Sequence, residues 1–143
     1  MILDSTYIFF GKSADNELQR ISYNDQKKGH FARPFTVCTP DGRIIDVYGA
    51  YVATDNDASI TMHVLENTDL KDLVKENDVL IVDRGFRDCK QELKEKYKLN
   101  VEMPFCTPKG EYTELLSTID ANKSRLVTKV RNVVECKQLC VDC

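Results

Sequence analysis

The chain has 143 residues, 42% hydrophobic and 30% charged, with a net charge of −3 at pH 7. This length and mixture predict a single globular domain over residues 1–143 with one core. No apolar run approaches the roughly 20 residues of a membrane span, and the first residues carry no secretory signal, so we expect an intracellular protein with no membrane partner. In that compartment the six cysteines are expected to be thiols rather than disulfides.

Charge is distributed unevenly along the chain. The net negative charge argues against a nucleic-acid partner. Residues 120–137, however, hold five basic side chains against two acidic ones. A basic face inside an acidic chain is compatible with a phosphate-bearing partner.

The first part of the chain predicts three antiparallel strands. Residues 3–10 have the aromatic and β-branched content of a strand. Residues 11–33 are polar and end in the basic stretch YNDQKKGHFAR. Residues 35–38 and 43–48 flank the turn sequence TPDG and should form a β-hairpin. A polar loop is expected over residues 51–59.

The second part of the chain predicts helices that alternate with strands. Helices are expected over 58–66, 70–75, 90–97 and 113–139, and strands over 79–82 and 101–105. Three antiparallel strands followed by βαβ alternation predict an α/β fold with a mixed sheet, in which two parallel strands follow the antiparallel ones and helices flank the sheet. This order is the one expected of a ribonuclease H-like fold.

Three acidic residues are candidates for one site in such a fold. Asp83 follows the buried strand VLIV, Asp4 lies in the first strand, and Glu135 lies on the last helix. Polar chemistry collects at the carboxyl ends of parallel strands, so the three can converge there. Converging carboxylates repel one another unless cations neutralise them, and oxygen ligands suit Mg²⁺ or Mn²⁺. Two such ions about 4 Å apart can promote attack on a phosphodiester.

Each of these carboxylates also has an ordinary structural interpretation. Asp83 could cap the turn that follows it, although Asp88 is better placed to cap a helix that starts near Cys89. Glu135 could be a solvated ion-pair partner on a basic helix. Composition and spacing leave both interpretations open.

Four stretches of sequence carry a family resemblance that covers nearly the whole chain. In order they are LDSTYI, YNDQKKGHFARPFTVCTPDGRIIDVYGAY, VLIVDRGFRD and DANKSRLVTKVRNVVE. The set resembles the DDE-type endonuclease domain of Harbinger/PIF-like transposases, a family with a ribonuclease H-like fold. The resemblance implies that Asp4, Asp83 and Glu135 are the catalytic triad and hold two divalent metal ions. Asp57 is a further candidate ligand, with Asp55 as its competitor.

The resemblance also implies a reaction and a substrate. The reaction is two-metal hydrolysis of DNA phosphodiesters, in which Asp4 bridges the metals and Asp83 and Glu135 each complete one coordination shell. Basic side chains near the triad would hold the DNA backbone without reading its sequence. For His30 a loop histidine hydrogen-bonded to backbone is an equally good interpretation. The candidate DNA-binding residues are Lys27, Lys28, His30, Arg84, Arg87, Arg125, Lys129 and Arg131.

The sequence departs from the family pattern in three places. Ser5 stands where the family has glycine, and the loop ATDNDAS lacks the glycines of the family's loop. The chain starts three residues before Asp4 and stops eight after Glu135, whereas family members carry helical regions on both sides. We therefore expect a truncated nuclear nuclease that nicks DNA weakly, with a separate DNA-binding protein or a second copy as partner. The alternative is an inactive transposase-derived remnant that binds DNA or protein.

The last cysteines form a separate motif. Cys136, Cys140 and Cys143 have the C-x3-C-x2-C spacing by which radical-SAM enzymes hold an iron–sulfur cluster. Those enzymes carry the motif near the start of a much larger barrel. We therefore expect no ordered metal cluster here.

Overall fold

The computed structural model describes residues 1–105 and 117–139, with side chains described up to residue 132 of the last helix. Within these residues the chain forms one mixed sheet with helices on it. The strands are β1 (Ile2–Ser5), β2 (Ile8–Phe9), β3 (Tyr23–Asn24), β4 (Gly29–Cys38), β5 (Ile44–Val52), β6 (Val79–Ile81) and β7 (Asn100–Glu102). The α-helices are α1 (Asn16–Ser22), α2 (Asp57–Asn67), α3 (Leu70–Leu73), α4 (Lys90–Tyr97) and α5 (Thr118–Leu139).

The pairing of the strands confirms the predicted α/β class. β4 pairs antiparallel with β5 on one side and with β1 and β2 on the other. β6 joins β1 in parallel, and β7 joins β6 in parallel. The strand order β5-β4-β1-β6-β7, three antiparallel strands and then two parallel ones, is consistent with a ribonuclease H-like fold.

Alternation of side chains along β1 separates the two faces of the sheet. Leu3 belongs to the main core, together with Val64 of α2. Ile2 packs in a second cluster with Val130 of α5. Because successive side chains of a strand leave opposite faces, we call these the α2 face and the α5 face. Asp4 therefore leaves β1 on the α5 face, the same side as Ile2.

The predicted first strand is interrupted in the structure. Residues 3–10 contain β1 and β2, which end and begin on either side of Thr6 and Tyr7. Both pieces nevertheless keep one register on β4, with Asp4 opposite Thr36 and Ile8 opposite Ala32. β1 and β2 therefore pair with the same side of β4 as one interrupted strand.

The hairpin is longer than the sequence predicts. β4 starts at Gly29 rather than at residue 35, and β5 extends to Val52 rather than to residue 48. β4 contains Pro34, which cannot donate a hydrogen bond to a ladder. It is tolerated because the β4–β5 register shifts between Arg33 and Phe35, and a bulge accepts a residue without an N–H.

Helix α1 was missed because it is too short to show apolar periodicity. The carboxylate of Asp15 caps it by accepting hydrogen bonds from the amides of Glu17 and Leu18, at 2.8 and 3.0 Å. The local sequence ADNEL carries this capping signal, an aspartate followed by a helix former in the first turn.

The later elements follow the prediction with small shifts at their ends. α4 has the predicted bounds, and β7 covers Asn100–Glu102 instead of residues 101–105. A 3-10 helix over Arg84–Cys89 was not predicted. The predicted start of the last helix at residue 113 lies outside the described residues. None of the described helices combines the length and hydrophobicity that crossing a bilayer requires.

Two of the six cysteines have described side chains, and both are free thiols as predicted. Cys38 and Cys89 are buried, and burial is the main cause that raises the pKa of Cys89 to about 11. Burial, with the nearby charge of Asp4, also raises the pKa of Cys38. The remaining thiols, including the C-x3-C-x2-C motif, lie outside the described side chains.

Gly85 generates a stability prediction, because a side chain there would strike α2. A Cβ at Gly85 would overlap Oδ2 of Asp57 and lie 3.2 Å from its Cγ. Overpacking of this kind costs about 1–3 kcal/mol, so Gly85→Ala should lower the free energy of unfolding by that amount in urea titrations. Gly11, where a Cβ meets nothing within 4 Å, is the matched control. Equal effects of Gly85→Ala and Gly11→Ala would contradict this packing.

Candidate active site

Two aspartates stand level with each other at the ends of neighbouring parallel strands. Ile2 of β1 is opposite Ile81 of β6, and Asp4 and Asp83 each follow that pair by two residues. Ile2 and Ile81 pack in the cluster on the α5 face. By the two-residue period of a strand, Asp4 shares that face, and the contact with α5 described next brings Asp83 to it. β1, which carries Asp4, and β6, which ends just before Asp83, are thus adjacent and parallel.

A guanidinium from α5 contacts both carboxylates. Arg131 Nη1 lies 3.3 Å from Oδ1 of Asp83, and Nη2 lies 4.0 Å from Oδ1 of Asp4. The side chains of Arg131 and Asp4 are 11% and 16% exposed, whereas that of Asp83 is 44% exposed. Two converging negative groups are thus held together by one internal cation, and the site is open to solvent on the side of Asp83.

Glu135 lies one helical turn beyond Arg131 on α5. Positions four apart share one side of a helix, so the backbone places Glu135 on the same side as Arg131. Its side chain lies outside the described part of the structure. Among the described side chains, no group of three His, Cys, Asp or Glu residues is arranged to hold a metal ion. The structure therefore brings together Asp4 and Asp83, and gives a helix position for the third acid.

Asp83 also performs the capping role that the sequence left open. Its Oδ1 accepts a hydrogen bond from the amide of Arg84, at the start of the 3-10 helix. A carboxylate offers about four lone-pair positions, so capping and cation binding are compatible. The expectation for Asp88 is wrong, because α4 starts after Cys89 without a side-chain capping bond. The preceding 3-10 helix leads directly into α4 instead.

Asp57 lies on the opposite face of the sheet from Asp4. Its Oδ1 accepts hydrogen bonds from Ser5 Oγ and from Arg33 Nη2, and Ser5 follows Asp4 in β1. Arg33 is buried, with its side chain 4% exposed, and it also donates to the backbone carbonyl of Asp55. Asp57 is thus the ion-pair partner of a buried arginine, and Asp55 contributes through its backbone. Sequence reasoning missed Arg33, which is the last residue of an apparently basic stretch.

The predicted DNA-binding residues before β4 lie in a turn. Lys28 pairs with Asp25 at 2.7 Å, and Lys27 Nζ lies 4.1 Å from the centre of the Tyr7 ring. The Tyr7 ring also lies 4.5 Å from the guanidinium of Arg33, which bonds Asp57 on the α2 face, so Lys27 lies away from the two aspartates. His30 lies in β4 and its Nδ1 is 3.0 Å from Ser22 Oγ, so the interpretation as a loop histidine bonded to backbone is wrong.

The predicted DNA-binding residues after β6 lie closer to Asp83. Arg84 donates to the carbonyl of Phe105 at 3.0 Å, and Arg87 lies 3.7 Å from the carboxylate of Asp88. Arg125 and Lys129 have exposed side chains on α5. Arg125 lies about one and a half turns before Arg131, and Lys129 lies about half a turn before it. Arg84 follows Asp83 directly in the chain, so it lies at the end of the sheet at which Asp83 opens to solvent.

A sheet of this order, with aspartates at the carboxyl ends of two adjacent parallel strands, defines an α/β domain of the ribonuclease H-like class. The family profile described as DDE superfamily endonuclease matches residues 3–141, and the chain belongs to this family. The match runs from β1 to the end of α5. No curated protein and no solved structure matches the sequence.

The different surroundings of Asp57 and Asp83 predict different effects on stability. Asp57→Ala should lower the free energy of unfolding by about 3–5 kcal/mol, because it leaves the buried charge of Arg33 without its partner. Asp83→Ala should cost about 1 kcal/mol, the usual loss of a cap at a more exposed site. Urea denaturation with EDTA present measures both without metal. Equal losses would contradict the structural role of Asp57.

Proposed function

We propose that this chain is the divalent-metal-dependent endonuclease domain of a Harbinger/PIF-like transposase, which hydrolyses DNA phosphodiesters. Asp4, Asp83 and Glu135 are its catalytic residues. One observation carries the proposal: the first two stand level at the ends of adjacent parallel strands, and the guanidinium of Arg131 lies beside both. Membership in a family of endonucleases supports the same chemistry.

The two described carboxylates fit a divalent cation. Both carboxylates lie beside the positive charge of Arg131. They also offer the oxygen ligands that Mg²⁺ and Mn²⁺ prefer. Asp4, Asp83 and Glu135 would hold two such ions, with Asp4 shared. Bound ions would supply Lewis-acid activation of water and stabilise the leaving oxygen. Leu80 and Val82, buried on either side of Ile81, hold the strand that presents Asp83.

Arg131 has a second role in this proposal. A guanidinium and divalent ions cannot share the same two carboxylates without strong repulsion. Arg131 would therefore turn away from Asp4 and Asp83 when metal binds. Its planar fork suits a phosphate oxygen pair, so the released side chain would contact the DNA backbone.

Other cations around the site would hold the DNA. Arg125 and Lys129 are exposed on α5, and Arg84 follows Asp83 directly. Contacts of this kind position the backbone without reading sequence, so a separate DNA-binding protein or a second copy of the chain would supply the target. Because the proposed substrate is chromosomal DNA, we propose a nuclear location.

One observation favours the alternative function, an inactive domain that binds DNA or protein. Arg131 places one positive charge beside Asp4 and Asp83, which weakens the repulsion between the two carboxylates in the absence of metal. The two functions differ in whether metal displaces this arginine.

The decisive experiment compares wild type with Asp83→Ala in metal binding and in plasmid nicking. Saturating Mn²⁺ should raise the wild-type Tm, with about 2.7 kcal/mol of stabilisation at 100 times the Kd. Asp83→Ala should lose both this rise and metal-dependent nicking. Asp88→Ala, which removes an exposed carboxylate beside Arg87, is the matched control and should keep both. Equal nicking by wild type and Asp83→Ala would refute the assignment of the site.

Displacement of Arg131 gives a prediction of opposite sign. Arg131→Gln should lower metal-free stability, because it removes a positive charge that offsets the repulsion between Asp4 and Asp83. It should also enlarge the rise in Tm caused by Mn²⁺, because the metal no longer competes with an internal cation. Arg125→Gln, on the same helix but exposed, should behave as wild type. A smaller Mn²⁺ effect in Arg131→Gln than in wild type would show that no competition exists.

A further inference from the structure

A polar pocket lies beside β4, away from the two aspartates. It has a volume of about 440 Å³. Its lining contains two cations and a histidine, and no carboxylate contributes to it. The lining residues are Lys12, Asn16, Gln19, Arg20, Tyr23 and His30. We call it the His30 pocket. A cationic pocket with amide and imidazole donors has the chemistry of a phosphate site.

The imidazole of this pocket is held in place by its neighbours. Ser22 Oγ lies 3.0 Å from Nδ1 of His30, and Ser22 is 2% exposed. The Tyr23 ring lies 5.5 Å from the imidazole centre at 64°, and the Phe10 ring lies 6.3 Å away. Because Nδ1 lies within hydrogen-bond distance of Ser22 Oγ, Nε2 is the ring nitrogen that can contact a ligand. The histidine is thus oriented before any ligand arrives.

The His30 pocket lies on the α5 face, in line with the candidate active site. His30 and Thr36 are six residues apart in β4, so their side chains leave the same face. Thr36 is the register partner of Asp4. At about 3.4 Å per residue, the pocket lies roughly 20 Å from Asp4 along the strand. That distance corresponds to roughly six base pairs of duplex DNA at 3.4 Å of rise each.

We propose that the His30 pocket is a phosphate-binding subsite that holds the DNA backbone about six base pairs from the scissile bond. This inference rests on the proposed function, because it takes its substrate from there. Lys12 and Arg20 neutralise the backbone charge, and Nε2 of His30 with the amides of Asn16 and Gln19 donates to phosphate oxygens. The subsite fixes the direction of the duplex across the α5 face and carries no sequence preference.

The experiment measures the salt dependence of binding to a 30-base-pair duplex by fluorescence anisotropy. All proteins carry Asp83→Asn and are kept in EDTA, so neither metal nor cleavage enters the measurement. Lys12→Gln/Arg20→Gln should weaken binding and make the slope of log K against log salt shallower by about 2, one unit per lost phosphate contact. The matched control is Lys71→Gln/Lys75→Gln, which removes the same charge from exposed positions around α3.

The outcomes separate the subsite from the proposed function. The control should keep the wild-type slope, and a Lys12→Gln/Arg20→Gln slope equal to the control's would overturn the subsite. Binding of a free nucleotide in the pocket would also overturn the subsite. In that case a deoxynucleoside monophosphate would raise the Tm of the protein with the wild-type pocket more than that of Lys12→Gln/Arg20→Gln. The salt slope for duplex binding would then be the same in both proteins. Should the slope fall as expected while Asp83→Ala nicks like wild type, the subsite stands and the active-site assignment fails.

Discussion

The buried guanidinium of Arg33 connects the three elements on which the rest of the structure depends. From β4 it donates to the carboxylate of Asp57 on α2 and to the hydroxyl of Ser5 on β1, and it lies 4.5 Å from the Tyr7 ring centre. A buried pair of this kind adds little net stability but penalises any arrangement that breaks it. A slip of β1 by one residue would exchange the faces of Asp4 and Ser5. The pair therefore fixes the face on which Asp4 emerges.

Each face of the sheet has an arginine between polar groups: Arg33 on the α2 face and Arg131 on the α5 face. The two differ in how exposed they and their partners are. Arg33 is 4% exposed, and Asp57 is additionally confined by Gly85. Arg131 makes longer contacts, and one of its partners, Asp83, is 44% exposed. Solvent reaches Asp83 more readily than Asp57, which is 23% exposed. This difference fits a structural role for the Arg33–Asp57 pair.

The sequence predicted the strand-end position of Asp83 and a mixed sheet with two parallel strands, because hydrophobic runs and their punctuation are local signals. It predicted neither the partner of Asp57 nor the place of Arg131 between two aspartates. Asp57 meets Arg33 across 24 residues of chain, and no local pattern encodes that contact. Ser5, which stands where the family has glycine, contributes its hydroxyl to the same hydrogen-bond network. Its position in a strand does not predict this contact.

Among the residues that the structure describes, the α5 face is covered along only part of its length, and this division follows from how the strands are arranged. α5 packs over Ile2, where β1 and β6 are adjacent, through Val130. Further along β4, Ile8 of β2 occupies the same face and is 44% exposed. The covered part supplies the rigidity that carboxylates need in order to hold a fixed geometry. The open part leaves room for an extended substrate to lie across the sheet toward His30. A duplex placed there would touch both parts at once, because one strand, β4, spans the whole distance.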